Sequence, residues 1–258
     1  KKYQDIYPLY FDEDPEGLYA EIERIVRFWM SHDVRIFRVD NPHTKPVWMW
    51  ERLISAINAT DPDVIFLAEA FTRPAMMRVL GEMGFQQSYT YFTWRNDAWD
   101  LAEYFTELSG PLAKSMRPNA FVNTPDILHE TLQHGGRPMF MSRLALAALA
   151  VGNWGIYGPA MELLEATPVK PGSEEYLDSE KYEIKRWDLD APHSLAPFIR
   201  QLNEIRRTEP SLSRVRPPLV QETDDPQVLA WCRHDPLGGN RVLVVVDMAP
   251  GTTRMAHI

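Results

Sequence analysis

The chain has 258 residues, 45% hydrophobic and 24% charged, which excludes a disordered chain and suffices for one large domain or one domain with a small appendage. Its net charge of −9 and pI near 5.3 argue against a nucleic-acid partner, because phosphate backbones are held by clustered Lys and Arg. The single cysteine, Cys232, allows no intrachain disulfide and points to a reducing compartment, and no apolar run nears the ~18 residues of a membrane span, so a cytoplasmic protein is expected.

From Pro15 to His32 the residues Leu18, Ile22, Ile25, Val26, Trp29 and Met30 recur at helical spacing, with Asp14 as N-cap and proline at the first helical position. Val34 to Val39 reads as a strand, about Pro46 to Ala59 as a helix, and Val64 to Leu67 as a strand entered through the turn Asp61-Pro-Asp. The alternation continues with a helix near Pro74 to Met83, a strand near Phe85 to Tyr89, a helix near Ala98 to Leu108 and a strand at Ala120 to Val122. Helices at Ile127 to His134 and Ser142 to Ala150 lead to the strand-like Gly155-Ile-Tyr.

Strands alternating with helices through short links predict a parallel α/β sheet. Five strand positions are present, so an eight-stranded barrel would need three more before Lys1, and both ends of the chain read as cut. Residues 158–192 turn polar and irregular, a long loop of the kind that is usually functional. A helix follows at Ser194 to Arg207. The runs Val228-Leu-Ala-Trp-Cys and Arg241-Val-Leu-Val-Val-Val, with Leu237-Gly-Gly-Asn between them, then read as a hairpin opening an all-β domain.

Three acids end or follow apolar β-like runs: Asp40, Glu69 and Asp126. Taken singly, each would read as a helix cap or a solvated turn residue. Asp40 and Glu69 are 29 positions apart, about one βαβ unit, which places both at the same end of adjacent parallel strands. Catalytic groups collect at that end of a parallel barrel, and paired carboxylates are the tools of glycosidic chemistry. Arg38 shares a strand face with Asp40 and is suited to hold a nucleophile ionised.

The segments Phe37-Arg-Val-Asp, Ala68-Glu-Ala-Phe and Phe121-Val-Asn-Thr-Pro-Asp resemble three ordered signatures of the α-amylase superfamily of retaining glycosidases and transglycosidases. Amylases generally carry Asn-His-Asp where Thr124-Pro125-Asp126 stands, and Asn41-Pro-His-Thr-Lys follows Asp40 here. These departures resemble the α-1,4-glucan:maltose-1-phosphate maltosyltransferases of bacterial glucan synthesis. So do Lys2-Tyr-Gln-Asp-Ile-Tyr-Pro, Gln87-Ser-Tyr-Thr-Tyr-Phe-Thr-Trp-Arg, Asn153-Trp-Gly-Ile-Tyr and Glu174-Glu-Tyr-Leu-Asp-Ser-Glu-Lys-Tyr.

The resemblance implies an α/β fold: the C-terminal portion of a (β/α)8 barrel over residues 1–210, followed by the start of a β-sandwich domain over 211–258. It makes Asp40 the nucleophile, Glu69 the acid/base and Asp126 the third acid, with Arg38 under the nucleophile. It places Lys181 and Tyr182 in the substrate pocket and Asn41 near the phosphate, since Lys and Asn suit phosphate oxygens. The implied substrates are α-maltose 1-phosphate and an α-1,4-glucan, with no cofactor, and a homodimer is one form expected of the intact protein.

A hydrolase or sugar isomerase of the same superfamily is the enzymatic alternative, and an inactive glucan-binding fragment the other. Tyr89, Tyr91, Trp94 and Trp154 read either as sugar platforms or as packing residues. His43 reads as structural, and Glu174, Glu175 and Glu180 as a solvated loop face. The sequence holds no zinc-spaced Cys/His cluster, Walker loop or Rossmann glycine pattern.

Overall fold

The computed structural model describes Tyr7 and residues 9–181, 183–213 and 216–258. They pack as two units, Lys1–Ser88 and Tyr89–Ile258. Tyr182 and most of the Lys2-to-Pro8 run lie outside the described residues.

In the first unit α1 (Pro15–Met30) starts at the expected cap, the Asp14 carboxylate accepting from the Gly17 amide at 2.8 Å. It is followed by β1 (Ile36–Asp40), α2 (Val47–Thr60), β2 (Ile65–Glu69), α3 (Pro74–Glu82) and β3 (Gln87–Tyr89). β1 and β2 pair in parallel, from Ile36 opposite Ile65 to Asp40 opposite Glu69. β3 joins β2 in parallel at Leu67 opposite Gln87.

Period-two alternation decides the faces. Phe37 and Val39 pack on the core made by Leu53, Ile54, Ile57, Phe66, Ala68, Leu80 and Phe85, which sends Arg38 and Asp40 to the other face. Phe37 stacks on Phe66 with ring centroids 5.5 Å apart. The strand ends later than expected, so Asp40 is its last residue rather than the first one beyond it.

The second unit holds α4 (Ala98–Ser109), β4 (Arg117–Phe121), α5 (Glu130–Ala150), β5 (Asn153–Gly155), α6 (Gly158–Glu162), α7 (Ala196–Thr208), α8 (Pro210–Ser213), β6 (Leu219–Gln221), β7 (Val228–His234) and β8 (Arg241–Asp247). β4 and β5 pair in parallel, while β6, β7 and β8 form an antiparallel sheet with the expected hairpin between the last two. The expected helices 127–134 and 142–150 correspond to α5, which is broken at Gly136 (φ 58, ψ −168) and resumes with Pro138 in its next turn. That φ is open to glycine at little cost, and proline fits only the first turn of the resumed helix. The short β6 and α6 carry too few periodic residues to stand out in the sequence.

Two arginines close the C-terminal end of α5. Arg206, from α7, donates to the carbonyls of Ala148, Val151 (3.1 Å) and Gly152 (2.6 Å). Arg233, from β7, donates to those of Ala150 (2.8 Å), Arg216 (2.8 Å) and Ser211 (3.4 Å). A helix ends with four carbonyls that have no intrahelical partner, and the planar guanidinium fork reaches several at once. Burial pushes the Arg233 guanidinium down to about 10, with the nearby Arg206 charge adding to the effect. Arg233→Met removes the donor for three carbonyls around a buried site, and urea unfolding should show a loss of about 2–4 kcal/mol. An unchanged midpoint and slope would show that water replaces the guanidinium without cost.

Candidate active site

The first unit gathers Arg38, Asp40, Asn41 and Glu69 at the C-terminal ends of β1 and β2. Parallel register sets Asp40 and Glu69 side by side, and the strand pleat points both to one face. The Arg38 guanidinium spans them, 2.6 Å from Glu69 and 3.6 Å from Asp40. It therefore lies nearer Glu69 than Asp40, the residue it was expected to underlie. The two acids also differ in exposure: the Glu69 side chain is 7% exposed and that of Asp40 71%.

Asn41 turns the chain away from the strand. It adopts the left-handed region (φ 45, ψ 52), which Asn tolerates better than most residues. Its amide donates to the Glu69 carbonyl at 3.2 Å and its side-chain Nδ2 to Asp40 Oδ1 at 3.0 Å. A short 3-10 turn, Pro42–Thr44, follows and is pinned by Trp50, whose indole N–H donates to the Pro42 carbonyl at 2.9 Å. His43 sits in this turn with its Nδ1 closed off from solvent, and desolvation pushes its pKa down against the opposing pull of Asp40.

The second unit brings together Asp126 and Lys181. Asp126 lies in a turn bridged between Thr124 and Ile127, just beyond β4. The Lys181 ammonium pairs with its Oδ1. The neighbouring Asn123, fully buried, is a residue that sequence reasoning passed over. Its Oδ1 accepts from the Tyr157 amide at 2.8 Å, and its Nδ2 donates to the Tyr176 hydroxyl at 2.8 Å and the Tyr157 carbonyl at 3.2 Å. An asparagine directly after a strand-like run and before Thr-Pro-Asp was the available signal.

The loop acids are not a uniformly solvated face. Glu174 accepts from the Trp94 indole at 2.8 Å, and Glu180 accepts from the Tyr157 hydroxyl and from the Trp187 indole at 3.2 Å. Glu175 alone of the three is exposed without such a bond among those described. Of the aromatic candidates, Tyr89 is buried and stacks on Phe121 at 4.4 Å, and Trp94 is tilted against Tyr91 at 5.6 Å. Tyr89 is thus a packing residue, and half-buried Trp94 has its polar edge taken by Glu174.

Among the described residues no group of three His, Cys, Asp or Glu side chains is arranged to hold a metal, and no helix is long and apolar enough to cross a membrane. No family model matches the chain. Curated relatives do. The α-1,4-glucan:maltose-1-phosphate maltosyltransferase 1 of Streptomyces coelicolor is 58% identical over 262 residues, covering 100% of this chain and 38% of that protein. The maltosyltransferase of the same name from Mycolicibacterium smegmatis is 52% identical, covering 97% of this chain and 36% of its own length. The chain thus spans less than two-fifths of the curated relatives it matches.

Among solved structures, the ligand-free cyclic α-maltosyl-(1→6)-maltose hydrolase from Arthrobacter globiformis aligns with a TM-score of 0.66 at 19% identity, over 92% of this chain and 53% of that one. At that identity the likeness establishes the fold, a parallel sheet with helices. Over its whole length the chain is thus similar to one segment of the α-1,4-glucan:maltose-1-phosphate maltosyltransferases.

Proposed function

We propose that the protein carrying this sequence is a retaining glycosyltransferase that moves maltosyl units from α-maltose 1-phosphate to the non-reducing end of α-1,4-glucans, releasing phosphate. The observation that carries the reading is the pair Asp40 and Glu69, abreast in register and spanned by one guanidinium. Retaining chemistry needs two carboxyl groups only about 5 to 5.5 Å apart, the spacing that neighbouring strand ends can supply. The exposed Asp40 is free to approach an anomeric carbon, and Asn41 donates to its Oδ1, which orients the attacking carboxylate.

In the first half-reaction an Asp40 oxygen bonds to the anomeric carbon as the bond from that carbon to the phosphate oxygen breaks, and phosphate leaves with the electron pair and the proton that Glu69 carries. In the second, Glu69 takes the proton of the acceptor hydroxyl while that oxygen displaces Asp40 and restores the original configuration. Asp126 is assigned the sugar-binding role of the third acid. Lys181, Tyr182 and Asn41 are assigned to the donor, with a lysine and an amide suited to phosphate oxygens.

The same reading treats residues 1–210 as part of a (β/α)8 barrel and 211–258 as the opening of a β-sandwich, supported by parallel β-α alternation followed by antiparallel β6 to β8. A cytoplasmic setting fits the single cysteine. A homodimer of the intact protein belongs to the reading as well, and sedimentation tests it.

The intact enzyme, mixed with α-maltose 1-phosphate and a maltooligosaccharide, should extend chains by two glucose units for each phosphate released. Chain shortening without a phosphate requirement would move the protein to the hydrolase alternative. Asp40→Ala should abolish transfer, because the carboxylate assigned to form the glycosyl ester is gone; wild-type turnover in that variant would refute the nucleophile. Lys181→Ala should raise the donor KM about 10- to 150-fold, the equivalent of losing one charged hydrogen bond.

A further inference from the structure

The segment that carries Lys181 is tied at several points to the turn that carries Asp126. Leu128, two residues after Asp126, donates its amide to the Glu174 carbonyl at 2.6 Å. Gln133 bridges the carbonyls of Leu128 and Ser173, at 2.8 Å each. On the other side of Asp126, Asn123 holds the hydroxyl of the buried Tyr176 at 2.8 Å. Both ends of the Asp126 turn are therefore fastened to residues 173–176, and the same strand of chain delivers Lys181 to Asp126.

One side chain anchors this segment to something rigid. Glu174 Oε1 accepts from the Trp94 indole at 2.8 Å. Trp94 ends a 3-10 turn, Tyr91–Trp94, and the carbonyls around it are held by the fully buried Arg143, which donates to Phe92 and Arg95 at 2.7 Å each. Arg143 also stacks on the Phe92 ring, 4.1 Å from its centroid. A donor fixed in this way holds its acceptor in one place and adds a side-chain tie to the backbone bonds that the segment makes at Ser173 and Glu174.

We propose that Glu174 is a positioning residue: through Trp94 it fixes the segment bearing Lys181 against the Asp126 turn and so sets affinity for the phosphate-bearing donor. The donor part of this role rests on the maltose 1-phosphate reading. The anchoring part does not.

The test uses the intact enzyme and the variants Glu174→Ala, Glu174→Gln and Trp94→Phe. Phosphate release is followed against α-maltose 1-phosphate concentration, and hydrogen exchange is measured over peptides spanning residues 173–185. Glu174→Ala and Trp94→Phe should each raise the donor KM about tenfold, leave kcat within about twofold, and speed exchange in the segment; their combination should be no worse than either alone. Glu174→Gln keeps an oxygen acceptor and should stay within about twofold of wild type.

An unchanged KM in Glu174→Ala, unchanged exchange, or a Gln variant as impaired as the Ala variant overturns the proposal. A merely structural role would lower the unfolding midpoint without moving KM in the folded enzyme. If the parent enzyme releases no phosphate from this donor, the functional reading fails, and the exchange comparison, which needs no substrate, still decides whether Glu174 anchors the segment.

Discussion

A parallel strand pair cannot slip by one residue without turning every side chain to the opposite face, and the chemistry of this chain depends on that constraint. With Ile36 opposite Ile65, Asp40 must lie opposite Glu69, and the burial of Phe37 and Val39 leaves Arg38 and Asp40 only the other face. A slip of one residue would expose Phe37 and bury Arg38. Phe37 and Val39 are partly buried against the core, so each contributes less than the roughly 1.5 to 3 kcal/mol of a fully buried side chain, and together they resist such a slip. The position of the two acids is thus a consequence of core packing. The turn at Asn41 and the Trp50 bond to Pro42 then fix the loop that leaves the strand.

The second unit relies on a different device, the delivery of guanidinium groups to backbone carbonyls. Among the described residues Arg143, Arg206 and Arg233 reach nine different carbonyls between them, at the 3-10 turn near Trp94, the end of α5 and the entry to the antiparallel sheet. Desolvation lowers the pKa of all three. The arrangement offsets that cost by giving each cation several carbonyl dipoles, and it satisfies backbone groups that no regular element can pair. These contacts also link segments far apart in sequence: β7 to the end of α5, and α5 to the turn preceding α4.

The parts of the fold that were legible in the sequence are those where a periodic pattern and its punctuation agree. Asp14-Pro15 before the stripe Leu18, Ile22 and Val26 announced α1, and the Leu237-Gly-Gly-Asn turn announced the pairing of β7 with β8. The fastening of residues 173–181 could not be read, because a polar stretch such as Ser173-Glu-Glu-Tyr has the same composition whether its groups face water or a distant indole. Glu174 and Trp94 are 80 positions apart, and no local pattern connects them. The acids of the site were legible for the opposite reason: Asp40 and Glu69 each close a β-like run, and the βαβ spacing supplies their register. Arg38 was assigned to the right face, but its closer approach to Glu69 than to Asp40 depends on side-chain geometry that spacing does not encode.

That closer approach bears on the acid/base chemistry of the site. An acid/base group has to exist in two forms in turn, and a cation 2.6 Å away helps the ionised one. On the proposed reaction Glu69 holds a proton in the first half, for the departing phosphate oxygen, and is ionised before the second. Glu69 then acts as the base that takes the acceptor's proton, with Arg38 beside it. The guanidinium can serve both halves in turn, helping to stabilise Asp40 when the glycosyl ester breaks and Glu69 before the acceptor arrives. An arginine shared between two strand-end carboxylates therefore belongs to the chemistry common to retaining transferases and hydrolases, and the choice between them passes to the groups that bind the donor.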